Sequence, residues 1–294
     1  MYDIIGDVHG HADALEALLT RHGYVSHGRG YRHPERKLIF LGDLIDRGPN
    51  IRRTVEIARA MVDAGDAIVV MGNHEFNALC YHTPDPNNPG QYLRPRTAAN
   101  IEQHKKTLAE YPREEELADL INWFYTLPMW LGTEEFRAVH ASWHTDSISF
   151  LKQHFPTGRI NAESLSDCAL SSGRFYVAVE NVLKGPEGKL PGQASFRDKY
   201  GRERHSIRLK WFLPSERHTY RSYSFPEQPH APEEPLRGID LQGYPPQERP
   251  VFFGHYWLED TEPAPVAPNC FCLDYSVAHG GFLCGYRVGE GFIW

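Results

Sequence analysis

Three short segments place cation-binding or proton-carrying side chains directly behind apolar runs. YDIIGDVHG carries Asp7 and His9, KLIFLGDLIDRG carries Asp43, Asp46 and Arg47, and AIVVMGNHE carries Asn73 and His74. Two later runs end in the same way, EEFRAVH at His140 and VFFGH at His255. Carboxylates and imidazoles are costly to bury unless something pairs with them. A shared cation removes that cost, and mixed oxygen and imidazole donors suit borderline divalent ions such as manganese, iron or zinc. When one carboxylate serves two ions, they sit roughly 3.5–4 Å apart and can lower the pKa of a bound water.

For these donors to meet, the strands must share one rim. The first 75 residues alternate strand and helix: YDIIGD, then HADALEALLTRHG with Leu15, Leu18 and Leu19 at helical spacing; KLIFLGD, then NIRRTVEIARAMVDAG; then AIVVMGN. That order predicts a parallel sheet with right-handed crossovers, whose functional loops lie at the carboxyl ends of the strands. Residues 97–127 read as helical up to Pro128, and Glu75 as an acid opening the helix after the third strand. His11 and His144 read as helix-end or loop groups. Residues 156–249 change character, with GPEGKLPGQ, a hairpin around DKYGRE, an alternating RHSIRLKWFL and a Pro-rich stretch from Phe225 to Pro250. They read as an insertion or cap on a core of residues 1–155 and 250–294. CFCLDYS and GFLCGYRV are expected to form a final antiparallel hairpin around AHGG.

Bulk properties narrow the class. The chain has 294 residues, 41% hydrophobic and 23% charged, as a globular protein of this size does. No apolar run approaches a membrane span, and no secretory signal is recognisable at the N-terminus. A net charge of −7 gives no global reason to expect nucleic acid as a partner. Cys80, Cys168, Cys270, Cys272 and Cys284 include no C-x-x-C pair, which argues against a zinc ribbon or disulfide framework and for the cytoplasm.

Taken in order, GDVHG, GDLIDRG, GNHE, a strand-end His and GH resemble the calcineurin-like metallophosphoesterases. The phosphoprotein-phosphatase branch, related to bacterial symmetric dinucleoside tetraphosphatases, is the nearest, and the likeness spans about residues 1–150 and 250–294. It implies an α/β fold, a layered αββα sandwich with a β-rich insertion or cap. It also implies a binuclear centre: Asp7, His9 and Asp43 on one ion, and Asp43, Asn73, His140 and His255 on the other. Manganese is the first expectation, with iron, zinc, nickel or cobalt as alternatives. Family chemistry then implies in-line attack by metal-bound hydroxide, without a phospho-enzyme. In that setting Arg47, with Asn73, would bind the phosphate, Arg47 presenting a planar fork to its oxygens. His74 would be the general acid, and Asp46 the carboxylate that orients its imidazole.

The resemblance implies a phosphorylated protein, small molecule or nucleotide as the substrate. Asp46 favours phosphate monoesters, because an alcohol leaving group needs protonation more than an anhydride does. Symmetric dinucleoside tetraphosphatases typically carry Ala at that place, and dinucleoside polyphosphates are the alternative substrate. A relative that has lost catalysis fits least, since every ligand position is filled. VHASW lacks the second glycine that phosphoprotein phosphatases carry after the histidine. Their further phosphate-contacting arginine has only Arg174, Arg208 and Lys184 as candidates here.

Overall fold

The computed structural model describes residues 1–170, 173–197, 201 and 203–294. The chain opens with β1 (Tyr2–Ile5), α1 (Ala12–Arg21), the ribbon β2 (Val25–His27) and β3 (Gly30–Arg32), β4 (Lys37–Phe40), α2 (Ile51–Asp63) and β5 (Ala67–Val69). β1, β4 and β5 pair in parallel as expected, and their side chains are mostly buried because helices cover one face and a second sheet the other. Next come α3 (Asn73–His82), α4 (Ala98–Glu110) and α5 (Glu114–Phe124). The helical stretch expected over 97–127 is thus two helices; Pro112, which has no N–H to continue a helix, lies in the break between them.

The second sheet begins with β6 (Trp130–Gly132) and β7 (Arg137–Val139), followed by α6 (Thr145–His154). The 156–249 segment then supplies α7 (Leu165–Ala169), α8 (Arg174–Lys184), β8 (Glu187–Lys189), β9 (Phe196–Arg197), β10 (Glu203–Arg204), β11 (Ser206–Arg208) and α9 (Tyr220–Tyr223). The β character expected there holds for β8 to β11, where β8 pairs β11 and β9 pairs β10, and not for Leu165–Ala169 and Arg174–Lys184, which are helical. Of the expected DKYGRE hairpin, Asp198, Lys199, Tyr200 and Arg202 lie outside the described residues. Val179, Val182 and Leu183 of α8 pack into the main core, whereas Leu190, Phe196, Ile207, Leu209, Tyr220 and Tyr223 form a separate small one. Trp211, Phe212, Phe225 and Tyr244 return to the main core, so the small core is a local cluster within the segment.

β12 (Val251–Phe253), β13 (Cys270–Cys272), β14 (Gly285–Arg287) and β15 (Gly291–Ile293) close the fold. The strand orders are β15-β14-β1-β4-β5 and β13-β12-β7-β6. The sheets face each other through aromatic contacts: Tyr2 meets Phe136 at 5.5 Å and Tyr286 meets Phe252 at 4.9 Å between ring centroids. The expected C-terminal hairpin does not form. β13 runs parallel to β12 in one sheet, and β14 runs antiparallel to β1 in the other. The AHGG turn carries the chain across the sandwich, and β14 is fixed on β1 by Arg287, whose guanidinium donates to the buried Asp3 at 3.0 and 3.1 Å.

Candidate metal centre

Register brings the first three loops together. Ile5 pairs with Phe40 and Phe40 with Val69, so the strands end side by side and their next residues leave on one rim. The rim is built from unfavourable backbone. His9, Asp43, Asp46, Arg47 and His255 have φ of 46°, 50°, 67°, 64° and 74°, and such conformations cost non-glycine residues about 1–3 kcal/mol each. Two glycines allow the close approach. A Cβ on Gly72 would lie 2.3 Å from Asp43 Oδ1, and one on Gly254 would lie 1.9 Å from Asp7 Oδ1.

All nine residues singled out in the sequence converge here, and all but Arg47 are buried. Two donor groups, His9–Asp43–His74 and Asp43–His140–His255, each have their ligand atoms within 4.8 Å of one another. Asp43 belongs to both, as a shared carboxylate must. Asn73 Oδ1 lies 3.0 Å from His140 Nε2. Asp7 stands outside these tight groups; its oxygens accept from His255 N–H at 3.1 and 3.2 Å.

The chemistry of the donors fits a divalent ion. His9 Nδ1 donates to the Ile45 carbonyl at 2.9 Å and His140 Nδ1 to the Leu41 carbonyl at 2.6 Å. These bonds fix the tautomer, as backbone partners of ligating imidazoles do. Each ring then turns the Nε2 lone pair on Asp43, at 3.4 and 3.5 Å. A lone pair and a carboxylate at that distance can both ligate one cation, which would relieve their repulsion. Nε2 of His9 and of His255 is buried without a hydrogen-bond partner. Burial holds His9 down to about 3, and burial and nearby cationic side chains depress His255, so both offer neutral nitrogens. Burial and the charges of Asp274 and Asp43 push Asp7 well above the carboxylate range. The pocket concentrates negative charge that a divalent ion relieves.

His74 is engaged differently. Its Nδ1 donates to Asp46 Oδ2 at 2.5 Å, and its Nε2 lies 3.1 Å from the Gln103 amide nitrogen and 3.5 Å from Arg47 Nη2. Burial works against its charged form, but Asp43 and Asp46 outweigh that and raise it. Burial likewise opposes ionisation of Asp46, yet hydrogen bonds from His104 and His74 keep it well below the carboxylate range. Arg47 turns outward, its guanidinium over Trp257 at 4.3 Å and 3.2 Å from His279 Nε2, with a buried Nε that has no partner.

Several supporting groups were not anticipated. Glu75, read as a helix-opening acid, accepts from the N–H of Asp43, Leu44 and Gly72 at 2.8–2.9 Å and so ties the second motif to the third. Burial and the Asp43 charge push it up to about 7. Asp274 accepts from Trp257 and Ser276 N–H at 2.8 and 3.0 Å. It directly follows the apolar CFCL run, the same signature that marked the candidate ligands. Gln103, His104 and Thr107 arrive from α4, and nothing in their local sequence marks them. Of the candidate cations, Arg174 lies over Phe150 at 4.2 Å. Arg208 and Lys184 are close enough to depress His255, and Arg208 also depresses His140. His11 and His144 sit at the N-termini of α1 and α6, as expected.

The family model for calcineurin-like phosphoesterases matches residues 2–212. The chain belongs to the calcineurin-like phosphoesterase family. Members of this family depend on divalent metal ions, which agrees with the donor groups described above. Among curated relatives, the asymmetrical bis(5'-nucleosyl)-tetraphosphatase PrpE of Halalkalibacterium halodurans is 43% identical over 150 residues, covering 50% of this chain and 59% of that one. PrpE of Geobacillus thermodenitrificans is 33% identical over 178 residues, covering 56% and 68%. The chain spans between about three-tenths and two-thirds of the length of the curated relatives it matches. A cold-active protein-tyrosine phosphatase of a psychrophilic Shewanella shares the fold at a TM-score of 0.51 and 14% identity, covering 97% of this chain and 75% of that one. Among the described residues, no helix is long and apolar enough to cross a membrane.

Proposed function

We propose that the chain is a divalent-metal-dependent hydrolase of phosphate monoesters, carried by phosphoproteins or small molecules. The observation behind this reading is the buried His74–Asp46 pair at 2.5 Å, next to Arg47 and the shared carboxylate Asp43. Asp7, His9 and Asp43 would hold one ion and Asp43, Asn73, His140 and His255 a second, manganese first among the alternatives; bound there, such ions activate water and neutralise phosphoryl charge.

The chain's own residues do the rest. Arg47, fixed by stacking on Trp257, offers its guanidinium to two phosphate oxygens. Arg208 supplies a second cation from the far side of His255; Arg174 is committed to Phe150. His74 carries a proton on Nε2 to the leaving oxygen, a contribution of about 10²–10⁴-fold for a poor leaving group. Gln103 turns its amide nitrogen toward Nε2 because its oxygen accepts from Arg94 at 2.8 Å. A protonated His74 and that amide cannot keep their contact, so the leaving group displaces it. Residues 156–249, part of which form a small core of their own, would shape the entrance. Five buried, unpaired cysteines suit the cytoplasm.

A second reading, hydrolysis of dinucleoside tetraphosphates, is favoured by the names of the PrpE relatives. One experiment separates the two: with manganese present, p-nitrophenyl phosphate, a phosphopeptide and diadenosine tetraphosphate are compared at equal concentration. The proposal expects the monoesters to turn over faster. Turnover of the dinucleotide alone overturns it. The products would then classify the cleavage: ATP plus AMP is asymmetric, and two ADP symmetric.

A further inference from the structure

We propose that His104 is a positioning residue for the His74–Asp46 pair, and that His82 holds His104 in place from its far side. Asp46 is 2% exposed and has donors on both oxygens. Oδ2 accepts from His74. Oδ1 accepts from His104 Nδ1 at 2.9 Å and from the Thr107 hydroxyl at 2.5 Å, and the Asp46 N–H donates back to Thr107 Oγ1 at 3.1 Å. A carboxylate held by a single imidazole can rotate about its terminal torsion; this one is clamped from the opposite side.

His104 is held in turn. Its Nε2 lies 3.2 Å from His82 Nε2, and its ring packs on Tyr81 at 5.2 Å between centroids. An ionised carboxylate only accepts, so His104 carries its proton on Nδ1 and takes the His82 N–H on Nε2. The outcome is an unbroken line from half-buried His82 through His104 and Asp46 to His74. Both neighbours of Asp46 are imidazoles, yet only His74 faces the candidate metal donors. When His74 gives its Nε2 proton to the leaving oxygen, it becomes neutral and keeps the Nδ1 proton on Asp46. His104 keeps its own proton throughout, so Asp46 neither gains nor loses one, and water re-protonates His74.

The inference rests on His74 being the general acid, and the test separates the two. His104→Leu removes the donor, and His104→Asn keeps an N–H near the Nδ1 position. Each is compared with wild type and His74→Asn on p-nitrophenyl phosphate, which has a good leaving group, and on an alkyl phosphate, which has a poor one. The proposal expects His104→Leu to lower kcat for the alkyl ester by about 10–100-fold, the usual cost of losing a partner that orients a working residue. KM should stay unchanged, the aryl ester should be far less affected, and Asn should restore most of the loss. Proton NMR of metal-free protein should show two strongly downfield imidazole N–H signals bonded to Asp46, with one lost in His104→Leu. Should Leu fail to fold, His82→Phe should give a smaller loss with the same leaving-group bias. Equal losses on both esters in the His104 variants, beside a biased loss in His74→Asn, overturn the positioning role and leave the general acid standing. An unbiased loss in His74→Asn overturns both.

Discussion

Replacing Asp43 with Asn tests the shared-carboxylate reading without measuring activity. The substitution keeps the side-chain shape, and Asn tolerates the φ of 50° at this position. In metal-free protein it turns the 2.9 Å bond from His74 N–H to a carboxylate into one to a neutral amide, a loss of about 1 kcal/mol. Against that, it removes a charge that helps push Glu75 up to about 7 and Asp7 well above its range. The two effects oppose, so metal-free stability should stay within about 1 kcal/mol of wild type. With metal the variants part company. At free manganese a hundredfold above Kd, each bound ion stabilises the fold by about 2.7 kcal/mol. At about 2–4 °C per kcal/mol, two ions should raise the wild-type Tm by about 10–20 °C. Asp43→Asn should lose nearly all of that rise and retain little metal after desalting. Thermal melts in chelator and in manganese, with elemental analysis, read both quantities. A variant that keeps the full metal-dependent rise refutes the shared carboxylate. One that unfolds in chelator alone shows Asp43 to be structural.

Other expectations concern stability and pH. Asp3, fully buried, accepts from Arg36, from Arg287 at two nitrogens and from Tyr24. Asp3→Asn should cost about 3–5 kcal/mol by urea unfolding, while the metal-dependent rise in Tm persists. Gly254→Ala drives a methyl into Asp7; the expected loss is about 1–3 kcal/mol, read by thermal melts, together with metal at the Asp7 site, read by elemental analysis. Asp46 is held below its ordinary range, so its stabilising effect is full above the unfolded carboxyl pKa, near 3.8, and fades as pH falls through and below it. Urea midpoints at pH 5 and pH 3 should therefore differ more in wild type than in Asp46→Asn.

The parts of the site legible in the sequence are those set locally. An apolar strand, a glycine and a ligand-type residue lie within a few positions, and parallel pairing of β1, β4 and β5 brings such triplets together without further information. What comes from afar leaves no local mark. Gln103, His104 and Thr107 sit in an ordinary amphipathic helix, and their meaning comes from α4 crossing Asp46 some 60 residues along the chain. The C-terminal strands mislead for a related reason. Alternating apolar residues around a Gly-Gly turn describe a hairpin equally well as two strands on opposite sheets; the second arises because β13 pairs with β12 and β14 with β1, where Arg287 meets Asp3. Asp274 is the exception, since its position behind CFCL matches the rule that found the candidate ligands.

Neighbouring opposite charges in GDLIDRG would ordinarily pair with each other, and the backbone prevents it. Asp46 and Arg47 both lie in the left-handed region, at φ of 67° and 64°, and two such residues in succession throw their side chains to different surroundings. Asp46 goes inward to His74, His104 and Thr107, while Arg47 goes outward over Trp257. Had they paired, Arg47 would compete with His74 for Asp46 and lose the freedom that its proposed role at a phosphate needs. Strain of about 1–3 kcal/mol per residue thus keeps an acid and a cation one residue apart in different surroundings, as the roles proposed for Asp46 and Arg47 require. The same strain restricts substitution. Neither position takes a β-branched residue at positive φ, so a Val or Ile at Asp46 or Arg47 loses backbone geometry as well as charge.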